Sequence, residues 1–197
     1  PALVLTAALA IGAGNAWNKD VVRVELAGSR NAPAVVLSQG DRAVILFRGG
    51  ESTQRAVETV LDRRGIRKTE LLVDLRMNPK TSCTLEAAQT ISTAEMDRYT
   101  TRKAACGPAE LEILRTYSGC VVRVTVAGQQ LVTLSGTVQL AKPVRADWLL
   151  ASSARPDAVR YKLCLALSDQ YRWMEEGAGP ESAARLLLRP GGGMKLD

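Results

Sequence analysis

Leu71 to Leu75, "LLVDL", is the stretch that most constrains the fold. Four of its five residues are apolar. That pattern suits a strand covered on both faces, not one with a side open to water. The strand stops abruptly in the polar loop "RMNPKTS", Arg76 to Ser82. In layered α/β proteins, chemistry gathers where loops leave the carboxyl ends of strands. This loop holds no His, no Cys and no carboxylate.

Around it the chain reads as β-rich with helices interspersed. "VVRVELA", Val21 to Ala27, puts Val22, Val24 and Leu26 on one face and Arg23 and Glu25 on the other, a half-buried strand. Ala34 to Leu37 and Arg42 to Arg48 are strands joined by the hairpin turn "SQGD". Ser52 is expected to cap a helix whose apolar face is Ala56, Val57, Val60 and Leu61, with Gly65 as its stop. Thr84 to Ser92 is expected as a second helix. Glu110–Thr116, Cys120–Ala127 and Gln130–Leu134 read as a meander, and Trp148 to Ala151 as a short strand. Asp157 is expected to cap a last helix running through Leu167. Two β-rich halves, each adding helices, suggest two packed sheets with helices outside.

Several function classes fall away on residue types. The chain of 197 residues has no His, so Ser-His-Asp and Cys-His nucleophilic sites cannot be assembled. There is no GxSxG elbow and no GxxxxGK[ST] loop. Cys83, Cys106, Cys120 and Cys164 are scattered without a CxxC pair, which argues against zinc and leaves their disulfide state open. Glu175 and Glu176 are adjacent and would diverge on a helix end rather than face a substrate together. The formal net charge is +6, a balance that permits contact with nucleic acid or an anionic membrane and also suits a plain solvated surface. Arg98, Tyr99, Arg102 and Lys103, in "RYTTRK", combine cations with an aromatic in the manner of a phosphate-contacting loop.

The ends carry their own expectations. The chain begins on Pro1, which reads as a fragment or processed product. "PALVLTAALAIGAG" is uncharged but shorter than the roughly 20 residues of a membrane span. Residues 1–19 are expected to be the end of a truncated transmembrane helix, with Trp17 at the interface, or otherwise a buried N-terminal helix. Residues 20–176 are expected to be the folded domain. Residues 177–197, rich in Gly, are expected to be a flexible tail.

The order of these stretches resembles the metallo-β-lactamase fold, and more narrowly the C-terminal domain of ComEC-type DNA-uptake channel proteins. "VVRVELAGS", "RAVILFRGG" and "VLDRRGIRKTELLVDL" correspond to its opening strand, its hairpin ending in a Gly pair, and its helix and strand before the metal loop. "LVTLSGT" and "ADWLLASSA" correspond to later ligand-bearing strands. The likeness covers roughly Val21 to Met174. It implies a four-layer αββα sandwich. It also implies that the whole protein forms a membrane path for single-stranded DNA, with this domain on the extracellular side and a membrane domain of the same protein as partner.

The departures from that family bear on function. Its hydrolases bind metals through an HxHxDH loop and later His and Asp ligands, and the metals activate water. Here Arg76 occupies the approximate first His position, with Asn78, Lys80 and Thr81 at the next ones. Thr137 replaces the Asp after Gly136, and Ser152 and Ser153 stand near the His-His position. The expectation is therefore a non-catalytic domain with no metal and no small-molecule cofactor. It would contribute to DNA transport, contacting single-stranded DNA weakly through Arg76, Lys80, Arg98, Tyr99, Arg102 and Lys103, or only to the structure of the channel. The alternatives are a soluble interaction module, or a hydrolase with an unrecognised metal-free mechanism.

Overall fold

The computed structural model describes residues 20–150, 159–167, 185–191 and 193–196. Two sheets are built from these. The first has seven strands in the order β13–β12–β1–β2–β3–β4–β5. They are β1 (Val22–Ala27), β2 (Ala34–Gln39), β3 (Arg42–Phe47), β4 (Lys68–Asp74), β5 (Gln89–Ser92), β12 (Arg185–Leu188) and β13 (Met194–Leu196). The second has six in the order β11–β10–β9–β8–β7–β6. These are β6 (Thr101–Cys106), β7 (Ala109–Arg115), β8 (Ser118–Val126), β9 (Gln129–Thr137), β10 (Val144–Leu150) and β11 (Val159–Leu165). Both sheets are mixed. β3, β4 and β5 run parallel in the first and β9, β10 and β11 in the second, while the other pairs are antiparallel.

Alternation along each strand explains why the sheets meet. Val22, Val24 and Leu26 of β1 share one cluster with Leu71 and Val73 of β4 and with Leu111, Ile113, Val122, Val124 and Trp148 of the second sheet. Residues of the opposite phase, Ala27, Val36, Ile45, Phe47 and Leu72, form a second cluster with Val57 and Val60. That second cluster lies under α1 (Glu51–Arg64), the one α-helix among the described residues. Leu71 to Val73 is thus covered on both faces, as its composition requires.

The helix end follows the sequence, and its start does not. Gly65 takes a left-handed conformation, φ 63° and ψ 32°, and its N–H bonds back to the carbonyl of Asp62 at 3.0 Å. The N-cap is Gly50 rather than Ser52, with no side-chain cap. A Cβ at Gly49 would collide with Thr53, which is buried under the first turn. Gly49 therefore lets strand and helix approach closely, while a Cβ at Gly50 would meet open space.

The expected four-layer αββα sandwich is not what forms. The chain is mostly strand, in two mixed sheets with a single described helix. Two expected helices are replaced by strands. Within Thr84–Ser92, residues 89–92 are β5, parallel to β4. The stretch expected as a helix through Leu167 contains β11, parallel to β10. In "VRYKLCL" the i, i+4 pair Val159 and Leu163 also fits a period of two, Val159–Tyr161–Leu163–Leu165, and pairing with β10 decides between the two. Part of the stretch expected as a loose tail is also paired, since β12 bonds to β1 and β13 to β12. Residues 1–19, Ser152, Ser153, Asp157, Glu175 and Glu176 lie outside the described residues. Among the described residues, no helix is long and apolar enough to cross a membrane.

One ion cluster fixes the far end of α1. Glu25 of β1 is buried and accepts from Arg64 Nε at 3.0 Å and Nη2 at 2.5 Å, with Arg63 Nη2 at 3.5 Å. Burial pushes the Glu25 carboxyl up. The Arg64 hydrogen bonds and the charges of Arg64, Arg63 and Arg185 outweigh it and hold the pKa below its ordinary 4.5. A carboxylate with a depressed folded pKa stabilises the fold above its unfolded pKa, and loses that contribution as pH falls through the folded value. Urea unfolding of the native chain should therefore show stability falling below about pH 4.5. Glu25→Gln should flatten that slope and cost about 2–3 kcal/mol at neutral pH, a figure discounted for the partial exposure of the arginines.

Candidate functional site

The carboxyl ends of β3 and β4 meet the second sheet in a polar seam. β3 runs into Arg48, which is buried and donates through Nη1 to the carbonyl of Leu134 and, at 3.4 Å, to Thr133 Oγ1, both on β9. Ser135 Oγ, also on β9, donates to the carbonyl of Leu75 at 3.0 Å. Gly136 follows with φ 70°, and a Cβ there would strike the Ser118 carbonyl. Only glycine lets the two strands close up at this bend. Thr93 Oγ1 donates to the carbonyl of Asp74 at 3.0 Å, tying the end of β5 to the end of β4.

The loop leaving β4 then divides by strand alternation. Leu75 points between the sheets and belongs to the central cluster. Arg76 turns to the helix side. Its backbone N–H, Nε and Nη2 all reach the buried carboxylate of Asp74, at 3.0, 2.9 and 2.7 Å. Its Nη1 donates to the Thr81 carbonyl at 2.9 Å, and its guanidinium lies 4.9 Å from the Phe47 ring centroid. The Asp74 hydrogen bond, against the opposing effect of burial, raises the Arg76 pKa further. Met77 turns back toward the second sheet, where Arg115 Nη1 lies 3.0 Å from its sulfur. Arg115, at the end of β7, is buried, and its Nε has no hydrogen-bond partner.

This end of the sheets thus holds two buried guanidiniums, Arg48 and Arg115, in the inner seam, and a third, Arg76, paired with the buried carboxylate of Asp74 on the helix side. The buried thiol of Cys120 lies within reach of the Arg115 and Arg48 charges. Burial pushes it up to about 11, against a hydrogen bond from Thr93 and the charges of Arg115 and Arg48. Burial likewise raises Cys83, lifts Cys106 to about 11 and lifts Cys164 to about 12. All four cysteines are free thiols, and none is poised as a thiolate at neutral pH.

No family model, curated protein or solved structure matches this chain.

The residues at the positions where the resemblance would put metal ligands do not fit a dication. Arg76 places a cation there, already matched to Asp74, and Asn78, Lys80, Thr81 and Thr137 are exposed. Among the described residues, no group of three or more His, Cys, Asp or Glu is placed to hold a metal. What the site offers chemically is positive charge and guanidinium N–H donors.

The other expected contact residues separate into two places. Lys80 is exposed on the loop after β4. Arg98 and Tyr99 sit on the connection into β6, and Arg102 and Lys103 lie on β6 itself, an edge strand, all exposed. Arg98 lies over the ring of Tyr117, 4.2 Å from its centroid. Arg48, Arg115, Asp74 and Tyr117 were not among the residues that the sequence singled out. Arg115 had a legible signal, because it continues the buried phase Leu111, Ile113, Arg115 of β7. A cation in that phase is costly and therefore informative. Arg48 had the same signal as Arg76, a cation directly after an apolar strand. Tyr117 had none.

Proposed function

We propose that this chain is a non-hydrolytic domain of a ComEC-type DNA-internalisation protein of the cell membrane. On this reading it lies on the extracellular side, beside the membrane domain of the same protein, and guides single-stranded DNA or shapes the channel without cutting the strand. The burial of Arg48 and Arg115 at the seam between the sheets, with Arg76 beside them, carries this reading. The resemblance would put metal ligands at this end of the sheets, and guanidiniums attract phosphate where they would repel a dication. The exposed cations Lys80, Arg98, Arg102 and Lys103, none of them in an ion pair among the described residues, add to the attraction.

The test is fluorescence anisotropy with a labelled oligothymidine over a series of salt concentrations. Binding is expected at low salt and should weaken steeply as salt rises, because phosphate contacts release counterions. Each of Lys80→Ala, Arg98→Ala, Arg102→Ala and Lys103→Ala should lower the slope of log K against log salt by about 0.7 if that residue touches a phosphate. The oligomer should remain intact in magnesium or manganese. Stoichiometric binding of either ion, cleavage of the strand, or no binding at low salt would each overturn the proposal.

A further inference from the structure

Exposed aromatic rings are rare among the described residues. Of these residues, the large apolar side chains left open to solvent are Tyr99 at 71%, Tyr117 at 60% and Met194 at 49%. The two tyrosines share one corner of the second sheet. Tyr99 precedes β6, and Tyr117 lies in the turn between β7 and β8. The end of β7 joins them. The Tyr99 N–H donates to the Arg115 carbonyl at 2.8 Å, and the Arg115 N–H donates to the Thr100 carbonyl at 2.9 Å. Arg98 spans the corner, with its guanidinium over the Tyr117 ring.

The backbone at Tyr99 is held against its own preference. Its φ is +60°, and the only other described non-glycine residue with positive φ is Ala127. A bulky residue in the left-handed region is uncommon and costs free energy that the surrounding bonds must offset. Here those bonds are the pair to Arg115 and the Thr100 hydroxyl donating to the Asp97 carbonyl at 2.6 Å. Glycine would fit this backbone more easily. A tyrosine there presents a ring to solvent at a conformational cost, from a position fixed to the sheet.

We propose that Tyr99 and Tyr117, with Arg98, form a stacking ledge for the unpaired bases of a nucleic-acid strand. Aromatic faces take any base, and a guanidinium plane beside them adds both a stacking surface and a phosphate contact. Charge favours this occupant over an apolar or cationic one. Arg98, Arg102 and Lys103 stand along the same connection and edge strand; of the carboxylates beside them, Glu112 lies opposite Lys103 but is paired with Arg123, and Asp97 adjoins Arg98. The ledge rests on the reading of this chain as a single-strand-handling domain, and it specifies which surface meets the bases rather than the phosphates.

The experiment compares three labelled probes at low salt: an oligothymidine, an abasic deoxyribose-phosphate chain of equal length, and a duplex. The native chain should prefer the oligothymidine to the abasic chain by roughly tenfold or more, and should bind the duplex more weakly than the oligothymidine. Tyr117→Ala and Tyr99→Gly should each remove roughly tenfold of oligothymidine affinity and leave abasic binding unchanged. Tyr99→Gly should not lower the thermal midpoint, because glycine accepts the positive φ, so lost affinity cannot be ascribed to unfolding. Tyr99→Phe should retain the native preference. Equal binding of oligothymidine and abasic chain, or full affinity in both tyrosine variants, would overturn the ledge and leave the DNA reading standing. Binding to none of the probes would overturn both.

Discussion

Asp74→Ala should lower the unfolding free energy by about 3–5 kcal/mol, among the largest effects of any single polar substitution in this chain. The carboxylate is buried and accepts three of the Arg76 donors within 3.0 Å. Its loss strands a guanidinium that is itself only 13% exposed. Removing one member of a buried pair costs far more than removing both, because the remaining charge keeps its desolvation penalty. Asp74→Leu combined with Arg76→Met should therefore recover most of the loss, since Met can still pack on Phe47. Urea unfolding of the two single variants and the double variant gives the coupling directly. A cost below about 1 kcal/mol for Asp74→Ala would mean that the pair is not what fastens the loop after β4.

The same pair shows what a one-dimensional reading sees and what it misses. Arg76 stood out as a cation where the resemblance calls for a metal ligand, and the structure does put it at the carboxyl end of β4. Which way it faces was not legible. Alternation sends Leu75 between the sheets and Arg76 to the helix side, where Asp74 waits two residues back in the same phase. The inner seam is then furnished by Arg48 and Arg115, whose convergence depends on β3 and β7 belonging to different sheets. No local pattern encodes that meeting. The corner made by Tyr99 and Tyr117 is likewise a product of the antiparallel β6–β7 pairing.

The fold was legible where one face is dry and the other wet. β1 and β7 announce themselves by alternation, β3 and β8 by their apolar runs, and α1 by its i, i+4 face and Gly65. Legibility failed where segments were short or bore charges at an edge. β5 spans four residues, too few for any period to declare itself. β6, "TRKAAC", is exposed at its first three residues, because it borders the sheet and needs apolar residues only toward its end. β12, "RLLL", is embedded in a Gly-rich run that disguises it, yet Leu186 and Leu188 enter the central cluster beside Val22 and Val24. In each case long-range pairing, absent from any local window, overrode a weak local preference.

Trp148 joins that pairing to the core and gives the second large effect. It is the largest fully buried side chain among the described residues, lies in the cluster between the sheets, and stands opposite Leu131 of β9 and Leu163 of β11. Trp148→Ala should cost about 3–5 kcal/mol, through lost transfer free energy and the cavity left behind. Trp148→Phe should cost far less than its loss of volume suggests. The indole Nε1 is buried without a hydrogen-bond partner. A donor in that state carries a penalty of about 1–3 kcal/mol, and phenylalanine removes it while filling most of the space. The two terms should nearly cancel, leaving a net change of about 1 kcal/mol or less. Circular dichroism is the suitable probe of urea unfolding, because the substitution removes one of three tryptophan fluorophores. If Trp148→Phe proves as damaging as Trp148→Ala, the indole N–H is satisfied in solution, and a bound water between the sheets becomes its most economical partner.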